Sequence, residues 1–299
     1  MNKPILNVGS EGMGRWVYHM IDPLLQRSFP GSTIQHDPTK PYNLVIRSHF
    51  LNQERIRPYT CPYITWSGES ERVRHLATHT PLLEINTIHV PQISNNIYIP
   101  HLVAEVKKTV RPDSNLLSDK KYCCSFAFSN PVPMREGLFR QMRSLEPTCY
   151  AFGRSCHTPD NPFEMPASER DHNDRHFRSF LFNVGMENKV APGYITEKIA
   201  YAFNSGSIPI YWGDDATVND FFNPASFLNV SDYKSPEAAA TATVEIWRDP
   251  QKAQRYLDAP IRLNNRLQEY EAIYDPTAED SLWMIPFIHR LRDAFPDHT

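Results

Sequence analysis

Glu187, Asn188, Tyr194, Glu197 and Lys198 fall within one short stretch, where a strand is expected to lead through a loop into a helix. The β-rich run Ser179–Val184 enters a polar loop containing Glu187, Asn188 and Gly193, and Tyr194-Ile195-Thr196-Glu197-Lys198 opens the helix. A second short strand, Ile208–Trp212 with Gly213 behind it, follows. The first N–H groups of a helix have no intrahelical acceptor, and the aligned peptide dipoles place partial positive charge there, so such a tip attracts anions. A lysine and a tyrosine hydroxyl at the same tip suit a diphosphate, as in the donor site of a nucleotide-sugar enzyme. Glu197 can accept hydrogen bonds from both hydroxyls of a ribose, or complement the helix dipole from the first turn, and the two roles are compatible.

The segment resembles the α1,3/4-fucosyltransferase family. The matching residues are Glu187-Asn188, Tyr194 through Lys198, Ile208 through Gly213, and then Asn223-Pro224, Ser226-Phe227, Asn229-Val230 and Asp232-Tyr233. Weaker similarity extends upstream through Ser125-Phe126, Ser129-Asn130, Arg135 to Pro147 and Gly153-Arg154, and a second patch covers Ile64 to Ser70. The two ends of the chain resemble nothing strongly. The family resemblance implies two Rossmann-like α/β domains facing across a cleft (the GT-B arrangement), with GDP-β-L-fucose as donor and an oligosaccharide or glycoconjugate as acceptor. The reaction it implies inverts the anomeric centre and gives an α-L-fucoside, with O3 of N-acetylglucosamine as the family's usual target.

Carried onto this sequence, the resemblance makes Arg154 and Lys198 the diphosphate clamps, an arginine supplying a planar fork and a lysine a point charge. It gives Glu197 the ribose. Tyr194 and Asn188 become hydrogen-bond donors to phosphate or sugar oxygens, and Ser129 and Asn130, ending a strand, are candidates for phosphate contact. Glu187 has two readings, contact with the sugar or bracing of its own loop. Glu69, just past an expected strand at Tyr63–Ser67 and beside Gly68, is the candidate general base, because inversion needs a carboxylate on the face opposite the nucleotide. Glu71 and Glu84 remain alternatives to it. Two cations are adequate for a departing GDP, so neither a metal nor another cofactor is expected. Trp66, Tyr211 and Trp212 could stack on sugars, but their strand context favours core packing. His172 and His176 share a turn-rich loop with no third ligand, which is poor support for zinc.

At 299 residues, with 22% charged and 40% hydrophobic residues, the chain has the composition of a globular protein with an ample core. A net charge of −3 provides no broad basic field, which argues against a nucleic-acid polymer as partner. The five cysteines, Cys61, Cys123, Cys124, Cys149 and Cys156, are odd in number and follow no ligand spacing, so reduced core thiols are expected. No apolar run approaches the ~18 residues of a membrane span, and no signal peptide is evident at the start. A cytoplasmic protein, possible contact with a membrane surface aside, of the bacterial or viral kind is expected.

Alternating strand and helix patterns predict parallel sheets in two α/β domains. Residues 1–118 form the expected acceptor domain, 119–278 the GDP-fucose domain, and 279–299 a helix returning to the first domain. Gly14 to Ser28 reads as a helix with Pro23 bending or dividing it. Val106 to Lys121 reads as a linker, Asp160 to Arg178 as a loop, and Glu237 to Leu257 as one helix. Three rivals compete with the fucosyltransferase reading. They are a same-fold enzyme using another nucleotide sugar, an inactive glycan- or nucleotide-binding module, and a nicotinamide oxidoreductase. Gly9, Gly12 and Gly14 suggest the last, but in an order that fits a dinucleotide loop poorly.

Overall fold

The computed structural model describes residues 3–14, 16–48, 60–69, 81–90, 96–102, 109, 117–159, 177–263, 266–275 and 277–298. The chain divides into two compact units, one of Met1–Ala104, Ala191–Tyr194 and Arg266–Thr299, the other of Glu105–Val190 and Ile195–Asn265. In chain order the helices are α1 (Trp16–Ser28), α2 (Pro133–Leu145), α3 (Glu197–Asn204), α4 (Asp215–Phe221), α5 (Pro236–Arg248), α6 (Pro250–Asp258), α7 (Arg266–Glu271) and α8 (Ile285–Ala294).

The first unit is built on β1 (Ile5–Glu11), β2 (Thr33–Gln35), β3 (Leu44–Ser48), β4 (Tyr63–Ser67), β5 (Leu83–Asn86) and β6 (Asn96–Tyr98). They lie in the order β2-β1-β3-β4-β5-β6, with every neighbouring pair parallel. Every residue of β3, β4 and β5 is buried, as a parallel sheet covered on both faces requires. Helix α1 buries Val17, Met20, Ile21, Leu24 and Leu25, a spacing that puts one apolar stripe against the core. It continues as one helix through Pro23, so the expected division there does not occur.

The C-terminal segment packs α8 against α1. The Arg292 side chain donates to the carbonyls of Ser28 at 2.9 Å and Arg27 at 3.1 Å, satisfying acceptors that the end of α1 leaves open. Arg27 in turn pairs with Asp280 at 2.8 Å and donates to the Ala278 carbonyl. The return to the first unit begins at Arg266 rather than at Glu279, because α7 and the residues after it cluster with α1.

The second unit orders β7 (Tyr122–Phe126), β8 (Cys149–Ala151), β9 (Phe180–Val184), β10 (Ile208–Tyr211) and β11 (Leu228–Asn229) as β11-β10-β9-β7-β8, again all parallel. Phe126, Leu138, Met142, Phe182, Ile208 and Ile210 belong to its core. The helix expected over Glu237–Leu257 is two helices. Pro250 supplies no N–H and crowds the preceding turn, while the Asp249 carboxylate accepts the N–H groups of Gln251 and Lys252 and starts α6.

The expected boundary at 118/119 also moves. Thr109, ahead of that boundary, already falls in the second unit. Most of the proposed linker, and residues 160–176 of the proposed loop, lie outside the described residues. The linker's end is bound into the second unit, since Lys120 donates to the Arg178 carbonyl and the Lys121 N–H to that of Ser179, both at 2.8 Å.

Both sheets therefore share one doubly wound, Rossmann-like order, in which the first strand lies between the second and the third. Chain direction reverses across the sheet between β1 and β3 in one unit and between β7 and β9 in the other. Ligands of such sheets bind outside the carboxyl ends of the strands at that switch point. Because the strands are parallel, the loops leaving β7, β8, β9 and β10 all emerge on one edge.

The thiols of Cys123, Cys124 and Cys149 are fully buried, and burial pushes those of Cys123 and Cys124 well above the ordinary range. Since the thiolate is the reactive form, a thiol reagent should label only the half-buried Cys61 and Cys156 in the native protein. The other three should react only after denaturant is added, as peptide mapping of labelled sites will show.

Candidate functional site

The carboxyl edge of the second sheet gathers the residues singled out in sequence. Ser129 and Asn130 follow β7 and are exposed, Arg154 follows β8 and is exposed, and Asn188 follows β9 and is half-buried. Among the described residues Arg154 has no hydrogen-bond or ion-pair partner. Its loop passes close under the end of β7. A Cβ on Gly153 would overlap the carbonyl group of Phe128, so only glycine lets the two loops approach this closely.

Glu187 is fully buried. Its carboxylate accepts the Thr196 backbone N–H at 2.7 Å, the Thr196 hydroxyl at 2.8 Å and the Lys198 ammonium at 3.2 Å. The Glu187 N–H donates to the Trp212 carbonyl at 2.8 Å. Of its two readings, the geometry gives the brace, with the carboxylate turned inward and occupied by its own unit.

Thr196 is the residue before α3, yet its side chain does not cap the helix. The hydroxyl donates to Glu187 and accepts from Lys198 at 2.7 Å, so it is committed away from the anion-attracting end. Gly185 allows the first turn of α3 to lie against the end of β9, since a Cβ there would meet Ile199 Cα at 3.0 Å and the Lys198 carbonyl oxygen at 3.1 Å.

Lys198 lies between Glu187 and Glu197, the latter at 3.8 Å, and retains about a quarter of its side-chain exposure (26%). Burial works against its charge, but the Glu187 and Glu197 carboxylates outweigh that and raise its pKa above the ordinary lysine value. The ammonium is thus charged at neutral pH and fixed at the tip of α3.

Tyr194 lies elsewhere. It is 2% exposed, and the stretch Ala191–Tyr194 clusters with the first unit. There the His89 N–H donates to the Pro192 carbonyl at 2.8 Å and the Tyr98 hydroxyl to that of Gly193 at 2.7 Å. The tyrosine is enclosed. Trp66 and Tyr211 are also buried, and Trp212 packs against the core, so all three serve packing.

Glu69, in the first unit, sits half-exposed just past β4. Its N–H donates to Ser67 Oγ at 3.3 Å, and its carbonyl accepts the Thr87 hydroxyl at 3.1 Å. Glu84 is 1% exposed within β5, which removes it as an accessible alternative base. Glu71, His172 and His176 fall outside the described residues.

The family model for glycosyltransferase family 10 (fucosyltransferase), C-terminal region, matches residues 117–271, just over half of the chain. The chain belongs to this family. It is 36% identical over 122 residues to the alpha-(1,3)-fucosyltransferase FucT of Helicobacter pylori, covering 40% of this chain and 23% of that one. It is 21% identical over 257 residues to the putative fucosyltransferase R654 of Acanthamoeba polyphaga mimivirus, covering 84% of this chain and 41% of that one. The chain therefore spans well under half the length of these curated relatives.

A crystal structure of an alpha1,3-fucosyltransferase with GDP-fucose shares the fold at a TM-score of 0.64 and 18% identity, covering 93% of each chain. Anabaena HepE with UDP-glucose shares it at 0.54 and 9%, covering 99% of this chain and all of that one. These likenesses establish a GT-B fold, and no helix among the described residues is long and apolar enough to cross a membrane.

Sequence reading gave no role to Arg135, Glu136 or Thr196. Arg135 stands in an amphipathic helix where an arginine ordinarily faces water, and only its burial (1% exposed) distinguishes it.

Two consequences are measurable. Gly153→Ala should cost about 1–3 kcal/mol, the usual range for overpacking, read as a lower denaturation midpoint. In the pairing of Lys198 with Glu187, the folded-state pKa of the lysine is raised. Its stabilisation is therefore complete below the unfolded pKa and lost as pH rises through the folded one. From neutral pH to about pH 9, Glu187→Gln should melt below the wild type by a constant margin, which narrows as the lysine titrates on the far alkaline side. A margin unchanged through lysine titration would rule the pairing out as a source of stability.

Proposed function

We propose that this chain transfers L-fucose from GDP-β-L-fucose to a hydroxyl of an acceptor glycan, with inversion at the anomeric carbon. The observation that carries the reading is the tip of α3, free of a side-chain cap and bearing a fixed ammonium, inside the segment matched by the family 10 model. The relatives' names support the sugar and the similar crystal structure with GDP-fucose supports the donor, and O3 of N-acetylglucosamine is the acceptor position we assign.

In this mechanism Glu69 takes the proton of the acceptor hydroxyl. The resulting oxygen attacks C1 of fucose, and the bond from C1 to the β-phosphate oxygen breaks on the opposite face. Arg154, Lys198 and the N–H groups of α3 meet the charge growing on GDP, a preorganised electrostatic contribution that water could match only by reorienting. Asn188, Ser129 and Asn130 hold phosphate oxygens, and Glu197 takes the ribose hydroxyls. Those two cations supply the neutralising charge, so the reaction needs no divalent ion. The enclosed Tyr194 is left out of the donor contacts.

Incubation with GDP-fucose, UDP-sugars and other GDP-sugars, with and without N-acetyllactosamine, tests the donor. Turnover of GDP-fucose alone is expected, and preference for a UDP-sugar would give the site to another nucleotide. Glu69→Gln should retain GDP binding while transfer falls ~10²–10⁴-fold, the scale of a lost general base; unchanged transfer removes Glu69 from the mechanism. Lys198→Ala should lower turnover ~10²–10³-fold, the loss typical of one preorganised electrostatic partner.

A further inference from the structure

Beneath the loops of the carboxyl edge lies a buried cation that the mechanism above does not use. Arg135, in the first turn of α2, is 1% exposed, and its guanidinium lies 5.2 Å from the centroid of the Phe128 ring. One nitrogen, Nη2, donates both to the Met186 carbonyl and, at 2.8 Å, to Asn188 Oδ1. The next residue, Glu136, accepts the hydroxyl of Ser155 at 2.5 Å. One turn of helix thus grips the loop after β9 and the loop carrying Arg154.

We propose that Arg135 is a positioning residue of the diphosphate subsite, holding the Asn188 amide with its oxygen inward so that its nitrogen is presented as a donor to phosphate. This rests on the donor reading above. A guanidinium has only donors, so the group facing it must be an acceptor, and the amide has one orientation that satisfies this. The opposite end is then N–H, the polarity an anion needs. A surface asparagine without that partner would turn freely between the two orientations, and half of them would aim an oxygen at phosphate. Arg135 also adds positive charge behind the site, since its field opposes protonation of Lys198.

Calorimetry with GDP and GMP on the whole chain tests this, because only GDP fills the second phosphate position. Asn188→Asp, which points an oxygen outward, should weaken GDP about 10–100-fold, the scale of a hydrogen bond to a charged group, while GMP changes far less. Arg135→Met should lower the GDP-over-GMP preference in the same sense, and Arg135→Lys should recover part of it. Should Arg135→Met fail to fold, Asn188→Asp decides alone. A wild type that prefers GDP while Asn188→Asp keeps that preference overturns the role of Arg135 but not the donor site. Equal losses for GDP and GMP in Arg135→Met overturn it too. A wild type that binds neither nucleotide overturns the donor reading, and this inference with it.

Discussion

The carboxylate of Glu187 stands at the centre of the second unit's working edge, and the geometry around it follows from a simple demand. A fully buried carboxylate must have its oxygens satisfied, because desolvation is costly unless hydrogen bonds and an opposite charge replace water. Thr196 and Lys198 meet that demand. In doing so Thr196 commits the hydroxyl that would otherwise cap α3, and Lys198 is drawn to the helix tip. One buried charge thereby creates an open, positively charged helix end with a fixed ammonium beside it.

Around this centre, parallel topology does the gathering. Ser129, Arg154 and the Asn188–Lys198 stretch are far apart in sequence, yet the strand order β11-β10-β9-β7-β8 brings the segments that carry them to one edge. Close approach then matters more than reach. Gly153 lets the arginine loop pass beside Phe128, Gly185 lets α3 lie against β9, and α2 ties both loops from below. The first unit repeats the same winding, with Glu69 at the corresponding edge of its own sheet.

Much of the fold was legible from apolar runs. Tyr63–Ser67 appears as a strand with the limits read from sequence, and the stripe Val17, Met20, Ile21, Leu24 is the buried face of α1. The strands β2, β5 and β11 were not legible, because they are two to four residues long and polar residues interrupt them. The break at Pro250 was missed although its chemistry was visible, since apolar spacing on both sides suggested continuity.

The sequence by itself determined the chemical inventory: an ordered run of acid, amide, base and glycine that matches family 10, and alternating patterns that wind into two parallel sheets. Motif order and periodicity are local, so they survive in a one-dimensional string. Tertiary structure alone decided which way each group faces. It turned Glu187 inward, enclosed Tyr194, left Arg154 exposed and buried Arg135 beneath Asn188. Orientation depends on which distant backbone groups need a partner, and that is settled only when the strands have been laid side by side.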